Sequence, residues 1–419
     1  MNSIAVLGCM WGDEAKAKMV DYFAKDADII VRFQGGNNAG HTIHFENRKF
    51  VFHLVPSGIL YPEKICVLAA GVVIDPFAMR EEMEILMKAG ISFQGRFFID
   101  PRAGVVLPIH KILDEKQEKQ AADQKIGTTK RGIGPCYSDI ASRIGIRFYD
   151  LANPESLRRK IEELHHFHGF ETDVDELVNQ LSDCHTFFQS YQMQVSYYLN
   201  NAYKNHKKII FEGAQGALLD LFFGTYPYVT SSHTISGGIS IGCGFSPSKI
   251  DSIVGVYKSY FTRVGSGPFP TELHDEVGEK IRIQGNEFGS TTGRPRRCGW
   301  FDCVAANYTA MVNGLDEISL TLLDVLSGFE TIKICVSYQI NGINTTEFPF
   351  SSEELDIVEP VYHEMEGWKE DISRIQSFAD LPKAAQNYVT AIETYLNIPI
   401  KTISVGPERN QTIQRNSLL

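Results

Sequence analysis

The apolar positions of this chain follow two periods. Short runs dominated by Val, Ile and Leu recur at residues 4–7, 28–33, 65–70, 208–211, 253–256, 318–323 and 401–405. Most show little polar alternation, the mark of strands covered on both faces. Helical spacing lies between several of them, at 75–89, 109–124 and 382–396. This alternation predicts an α/β fold with a mostly parallel central sheet flanked by helices. Residues 151–207 are helix-prone from Pro154 onward and read as a helical subdomain inserted in the sheet. Later, 332–348 predicts a small antiparallel hairpin turning at Asn341-Gly342, and 358–368 a loop-helix appendage.

Composition narrows the class. With 419 residues, 43% apolar and 22% charged, the chain is long and apolar enough for an ample core and is neither disordered nor fibrous. A formal charge of −11 argues against broad nucleic-acid binding, so any anion site must be local. The eight cysteines form no Cys-x-x-Cys pair and read as reduced thiols of a cytoplasmic enzyme. The N-terminus shows no secretion signal. Residues 221–248 lack Asp, Glu, Lys and Arg but are rich in Gly, Ser, Thr and Pro, which suits a ligand-approaching loop and not a membrane helix. His165, His166 and His168 lack the i, i+4 pairing of a zinc helix and are expected on a solvated surface.

Four loops could carry chemistry. The first run passes through Gly8-Cys9-Met10-Trp11-Gly12-Asp13-Glu14-Ala15-Lys16-Ala17-Lys18 into a helix. Strand, small-residue turn and helix start make a phosphate site, with lysines adding charge, although the string is not a Walker A loop. The second run ends in Gln34-Gly35-Gly36-Asn37-Asn38-Ala39-Gly40-His41-Thr42, at the same expected sheet edge. A carboxylate and an imidazole brought together there can move protons and hold a metal. The stretch 126–135, with Thr128, Thr129, Lys130 and Arg131, suits a monophosphate. Arg294, Arg296 and Arg297 lie within four residues, and guanidinium forks clamp carboxylate or phosphate. At least two anionic ligands plus acid–base groups make a nucleotide-dependent enzyme.

Together with Phe211-Glu212-Gly213-Ala214-Gln215-Gly216, residues 224–232, residues 262–272 and Ser404-Val405-Gly406-Pro407, these strings resemble the adenylosuccinate synthetase family over nearly the whole length. The resemblance implies a single α/β domain over 1–419, with 151–207 as a helical insertion. It implies a ligase that joins IMP to L-aspartate with GTP as co-substrate and Mg²⁺ as cofactor, by way of 6-phosphoryl-IMP. Asp13 matches the general base and, with Gly40, a metal ligand. His41 and Lys16 match groups that stabilise the transferring phosphoryl, and Gln215 the amide at the purine O6. Asn38, Thr129, Thr230 and Arg294 match IMP contacts, and Arg143 one that crosses the interface of a homodimer. Thr292, Arg294 and Arg296 match the loop on the aspartate carboxylates. Gly12, Asp13, Glu14, Ala15, Lys16, Ala17, Gly40, His41, Thr42, Arg296, Leu322, Asp324, Ser404 and Gly406 match the GTP site. No nucleic-acid or membrane partner is implied.

The chain departs from the family pattern at named positions. Ala15, Ala17 and Lys130 stand where glycine is usual, Leu322 where lysine is usual and His233 where asparagine is usual; Pro295 interrupts the arginine run. If Ala15 or Ala17 needs a positive φ, the loop must shift and donor binding weakens. Departures on the triphosphate side predict weaker donor affinity or a relaxed preference for GTP over ATP, while Asp324 argues for GTP. A paralogous ligase with another donor, purine monophosphate or amino acid, and a catalytically silent nucleotide-binding regulator, are the other readings.

Overall fold

The computed structural model describes residues 2–38, 40–45, 48–120, 126–170, 172–289 and 293–415, with backbone alone for 41–45, 48, 49 and 51. The central sheet has nine strands: β1 (Ser3–Gly8), β2 (Ile29–Arg32), β3 (Ile65–Leu68), β4 (Phe97–Ile99), β5 (Ile209–Glu212), β6 (Ser252–Lys258), β7 (Glu317–Thr321), β8 (Ile400–Ser404) and β9 (Thr412–Gln414). Their spatial order is β9-β8-β7-β6-β1-β5-β2-β3-β4. Every pairing is parallel except β9 against β8. All seven expected runs are strands of this sheet. The two strands that the pattern missed, β4 and β9, are its edges, three residues each and too short to show a period.

β1 lies near the centre, and its alternate residues serve opposite faces, as strand geometry requires. Ile4 and Val6 join a core with Met19, Val20 and Phe23 of helix α1 (Lys16–Ala24) and Met79, Met83 and Leu86 of α2 (Pro76–Lys88). Ala5 and Leu7 face the other way, toward Val195, Leu199, Ile239 and Cys243. A third core packs the carboxyl-terminal half around Tyr257, Ile318, Leu320, Tyr388 and Ile403. α3 (Pro108–Gln120) begins as expected, and residues 121–125 of the anticipated helix lie outside the described residues.

The 151–207 block forms three helices after α4 (Ile133–Ala141): α5 (Pro154–His168), α6 (Val174–Phe188) and α7 (Val195–Lys204). Leu157, Ile161, Leu181 and Phe188 bury into the same core as Ile4 and Val6, so the block caps the sheet. Two expectations need correction. His165 continues the buried stripe of Ile161 and Leu164, His168 is half-buried, and only His166 of the three is exposed. His168 Nε2 lies 2.9 Å from Asp139 Oδ1, and the fully buried His110 Nε2 lies 3.0 Å from Asp139 Oδ2. The 358–368 run is also not a loop-helix appendage. Glu359–Glu366 is a strand pairing antiparallel with Thr331–Ile340, which also forms the expected hairpin with Ile343–Thr345. Its Pro and three glutamates hid an edge strand whose ladder is supplied by its neighbour.

All eight cysteines are free and buried. No described helix is long and apolar enough to cross a membrane.

Candidate active site

Because β1, β2, β5, β6, β7 and β8 run parallel, the loops leaving them emerge at one edge of the sheet. That edge, outside the carboxyl ends of the strands, is where open α/β sheets hold ligands. Residues more than 300 positions apart meet there: Thr321 Oγ1 at the end of β7 donates to the Glu14 carbonyl after β1 at 2.9 Å.

The loop after β1 is held from within. Glu14, almost fully buried, accepts from the backbone N–H of Met10 at 3.0 Å and of Gly12 at 2.8 Å, and its other oxygen pairs with Lys16 Nζ at 2.6 Å. Gly12, Asp13 and Ala15 all have positive φ, at 87°, 61° and 61°. Ala15 is the left-handed residue immediately before α1, whereas Ala17 lies inside the helix. The two alanines therefore differ physically. Ala17 sits where alanine is the best helix former; Ala15 carries a Cβ in a region that costs an L-residue roughly 1–2 kcal/mol. Lys130, the third substitution for glycine, also has a positive φ, 55°, and Leu322 has 56°. Ala15→Gly is expected to raise the unfolding free energy by about 0.5–1 kcal/mol, and Ala17→Gly to lower it by a similar amount. Urea denaturation reads both; a loss of stability at position 15 would contradict the left-handed turn.

Asp13 stands about one-third exposed at the mouth of this loop, its Oδ2 2.9 Å from Arg296 Nε. Arg296 Nη1 pairs with the buried Glu287 at 2.7 Å, and Glu287 also receives Lys258 at 2.7 Å and the Tyr260 hydroxyl at 2.6 Å. Burial alone would raise Glu287, but Lys258 and Arg296 outweigh it and hold the carboxyl below its ordinary range. Burial likewise opposes the Arg296 charge, and Asp13 and Glu287 more than restore it. The arginine is thus braced behind and presented forward to Asp13. Glu287 belongs to none of the sequence strings, so nothing along the chain marked it.

Gln215 follows β5 with φ 57°; its Nε2 donates to Asn38 Oδ1 at 3.1 Å, while its buried Oε1 has no hydrogen-bond partner among the described residues. Asn38 Oδ1 also accepts from Gly36 N at 3.3 Å, so the loops after β2 and β5 share one acceptor. Gly40 is half-buried nearby in sequence. The side chains of His41 and Thr42 lie outside the described residues, as does the whole of Thr292. Thr129 and Arg294 are exposed and Thr230 is half-buried. Arg143, exposed with φ 67°, follows the end of α4, the helix that the 126–132 loop leads into.

On the far side of β1, the ends of β7 and β8 form a second lobe of the cleft. Asp324 Oδ1 is buried without a hydrogen-bond partner among the described residues, and burial raises its carboxyl above the ordinary range. Leu322 packs half-buried against the carboxyl-terminal core. Lys18, which the sequence offered only as a spare charge, spans to this lobe: its Nζ donates to Ser404 Oγ and to the Gly406 carbonyl at 2.6 Å each, and to the Gln411 carbonyl at 2.9 Å.

No group of three or more His, Cys, Asp and Glu gathers among the described residues. A single exposed carboxylate, Asp13, at the turn between β1 and α1 suits Mg²⁺, a hard cation that takes one or two carboxylates and completes its shell from phosphates and water.

Comparison with known proteins places the chain in a family. The adenylosuccinate synthetase family model matches residues 5–413. The curated adenylosuccinate synthetase of Carboxydothermus hydrogenoformans is 50% identical over 99% of both chains, and that of Alkaliphilus metalliredigens 47% over the whole of both. The fully ligated adenylosuccinate synthetase of Plasmodium falciparum superposes with a TM-score of 0.95 at 43% identity, covering 99% of this chain and 100% of that one. A family model covering nearly every residue, full-length relatives and a matching solved structure lead to one conclusion: this chain belongs to the adenylosuccinate synthetase family.

Proposed function

We propose that the strand-end cleft performs, in two steps and with the residues named below, the reaction that family membership assigns: adenylosuccinate is formed from IMP and L-aspartate with hydrolysis of GTP to GDP and phosphate. The observation that carries the residue assignment is the meeting of Asp13 with Arg296 at 2.9 Å, a base and a carboxylate clamp from two loops at one point.

The hypoxanthine O6 is a poor leaving group as a carbonyl oxygen. Asp13 takes the N1 proton, O6 attacks the γ-phosphorus of GTP, GDP departs, and 6-phosphoryl-IMP results. The aspartate amine then adds at C6 and phosphate leaves. His41 and Lys16 offset charge on the transferring group, and Gln215 orients O6. Lys16 is tied to Glu14 and Arg296 to Asp13, so both cations exchange a carboxylate for a ligand as substrates arrive. Asn38, Thr129, Thr230, Arg294 and, across a homodimer interface, Arg143 hold IMP. Thr292, Arg294 and Arg296 hold the aspartate carboxylates. Gly12 to Ala17, Gly40 to Thr42, Arg296, Leu322, Asp324, Ser404 and Gly406 hold GTP. Mg²⁺, ligated by Asp13 and the Gly40 carbonyl, would neutralise phosphate charge when bound.

An absorbance assay with IMP, aspartate, GTP and Mg²⁺ tests this reading. Turnover is expected only when all four are present. Activity that needs another purine monophosphate or amine would favour the paralogous ligase, and nucleotide binding without turnover the silent regulator.

A further inference from the structure

Along α2 the buried positions Met79, Glu82, Met83 and Leu86 recur at helical spacing, and one of them is a carboxylate among apolar side chains. A buried charge is costly unless hydrogen bonds hold it. Glu82 is held by backbone: its Oε1 accepts from the N–H of His53 at 3.0 Å and of Val55 at 3.2 Å, and its Oε2 from that of Leu54 at 3.0 Å. Arg32, the last residue of β2 and also buried, takes the carbonyls of the same segment. Its Nη1 donates to His53 O at 2.5 Å and to Leu54 O at 3.2 Å. Two buried charges of opposite sign thus grip successive peptide groups, one by the N–H and the other by the C=O.

The gripped segment begins where a two-stranded hairpin, His41–Phe45 with Arg48–Phe52, returns to the body of the protein. In its antiparallel ladder His41 pairs with Phe52, so the first held peptide lies one position beyond the partner of His41. Phe52 is fully buried and, with Phe50, roots the returning strand in the core shared by β1 and α2. The chain therefore leaves the sheet at Arg32, passes through His41, and comes back to the side chain of Arg32. Glu82 and Arg32 spend these contacts on backbone and are buried away from any substrate, so whatever they contribute must pass through the strand they hold. We propose that Glu82 and Arg32 are positioning residues: by clamping His53, Leu54 and Val55 they fix the hairpin, and with it the backbone of His41, for phosphoryl transfer. The proposal rests on the reading of His41 as a group at the transferring phosphoryl.

The test is a double-mutant cycle on the full chain, with Glu82→Gln and His41→Asn made singly and together. Rates are read in single turnovers with IMP, aspartate, GTP and Mg²⁺, the enzyme in excess so that slow variants remain measurable. Glutamine keeps the shape of the side chain but turns a donor toward one of the N–H groups that the carboxylate accepts. Glu82→Gln is expected to slow turnover by about tenfold, the scale of a slightly misplaced reacting group, while affinity for IMP stays within about twofold. In the His41→Asn background the same change should cost less than about twofold, because the strand then carries no imidazole to place. An equal loss in both backgrounds would overturn the proposal, leaving Glu82 as support for the fold, and so would an unchanged rate in Glu82→Gln alone. Should the glutamine variant fail to fold, Glu82→Asp replaces it in the cycle, and amide hydrogen exchange of the unaltered chain tests the clamp directly. The N–H groups of His53, Leu54 and Val55 should be protected; exchange as fast as that of an open loop would overturn it. His41→Asn separates the two levels: a rate close to that of the parent there refutes the reading of His41, whatever Glu82 does.

Discussion

Asp13→Asn is expected to lower kcat by about 10²–10⁴-fold while shifting the KM for IMP only a few-fold. The amide keeps the shape of the side chain and can still meet Arg296, but it cannot accept the N1 proton, and without that proton's removal O6 is a weak nucleophile. The cost to folding should be small. Asp13 is about one-third exposed, where ion pairs contribute little, and Arg296 retains Glu287 at 2.7 Å. This separation of activity from stability is what a chemical role predicts. Steady-state kinetics alongside thermal unfolding check it: a variant within tenfold of the parent kcat would remove Asp13 as the base, and one that unfolds would point to a structural carboxylate.

The second large effect comes from a residue with no functional group. A Cβ on Gly216 would lie 2.3 Å from the Met10 carbonyl, 2.6 Å from Glu14 Oε1 and 2.7 Å from the Gly12 nitrogen. Its φ is −147°, which alanine adopts freely, so the penalty of Gly216→Ala is purely one of space. Two of the three atoms are backbone of the loop after β1, and the third is the carboxylate that braces it. The loop must move. Overpacking of this kind costs roughly 1–3 kcal/mol, and the displaced Glu14 would release the Lys16 pair, so donor affinity should fall by more than tenfold. Gly237→Ala, with nothing within 4 Å of the added methyl, is the matched control and should be near neutral. GDP titration and urea unfolding of the two variants give the comparison; equal behaviour would show that the loops after β1 and β5 do not pack as described.

The apolar runs of the sheet were legible because strands buried on both faces need little beyond Val, Ile and Leu. The edges β4 and β9 were not, since three residues carry no period, and Glu359–Glu366 was hidden because an edge strand draws its order from its neighbour. At the site, glycine replacements were visible in the sequence, but not their consequences. Ala15 and Ala17 read as equals two positions apart, and only the backbone separates them, one left-handed and one helical. Arg296 stood out within an arginine cluster. Its brace Glu287 did not, because a lone glutamate nine residues upstream gains its meaning when Lys258 and Tyr260 arrive from β6 and the turn beyond it. Lys18 was seen as charge near phosphate, whereas its three acceptors lie almost 400 positions away.

That last span bears on how the protein is made. β8 docks beside β7 and brings Ser404 and Gly406 to Lys18, which was made almost 400 positions earlier in the chain. While the ribosome still holds the strand Ile400–Ser404 in its exit tunnel, the lobe at the ends of β7 and β8 lacks one wall and the Lys18 ammonium stays in water. Synthesis runs from Lys18 toward Ser404, so this lobe is walled in only after the 386 positions between them have been translated.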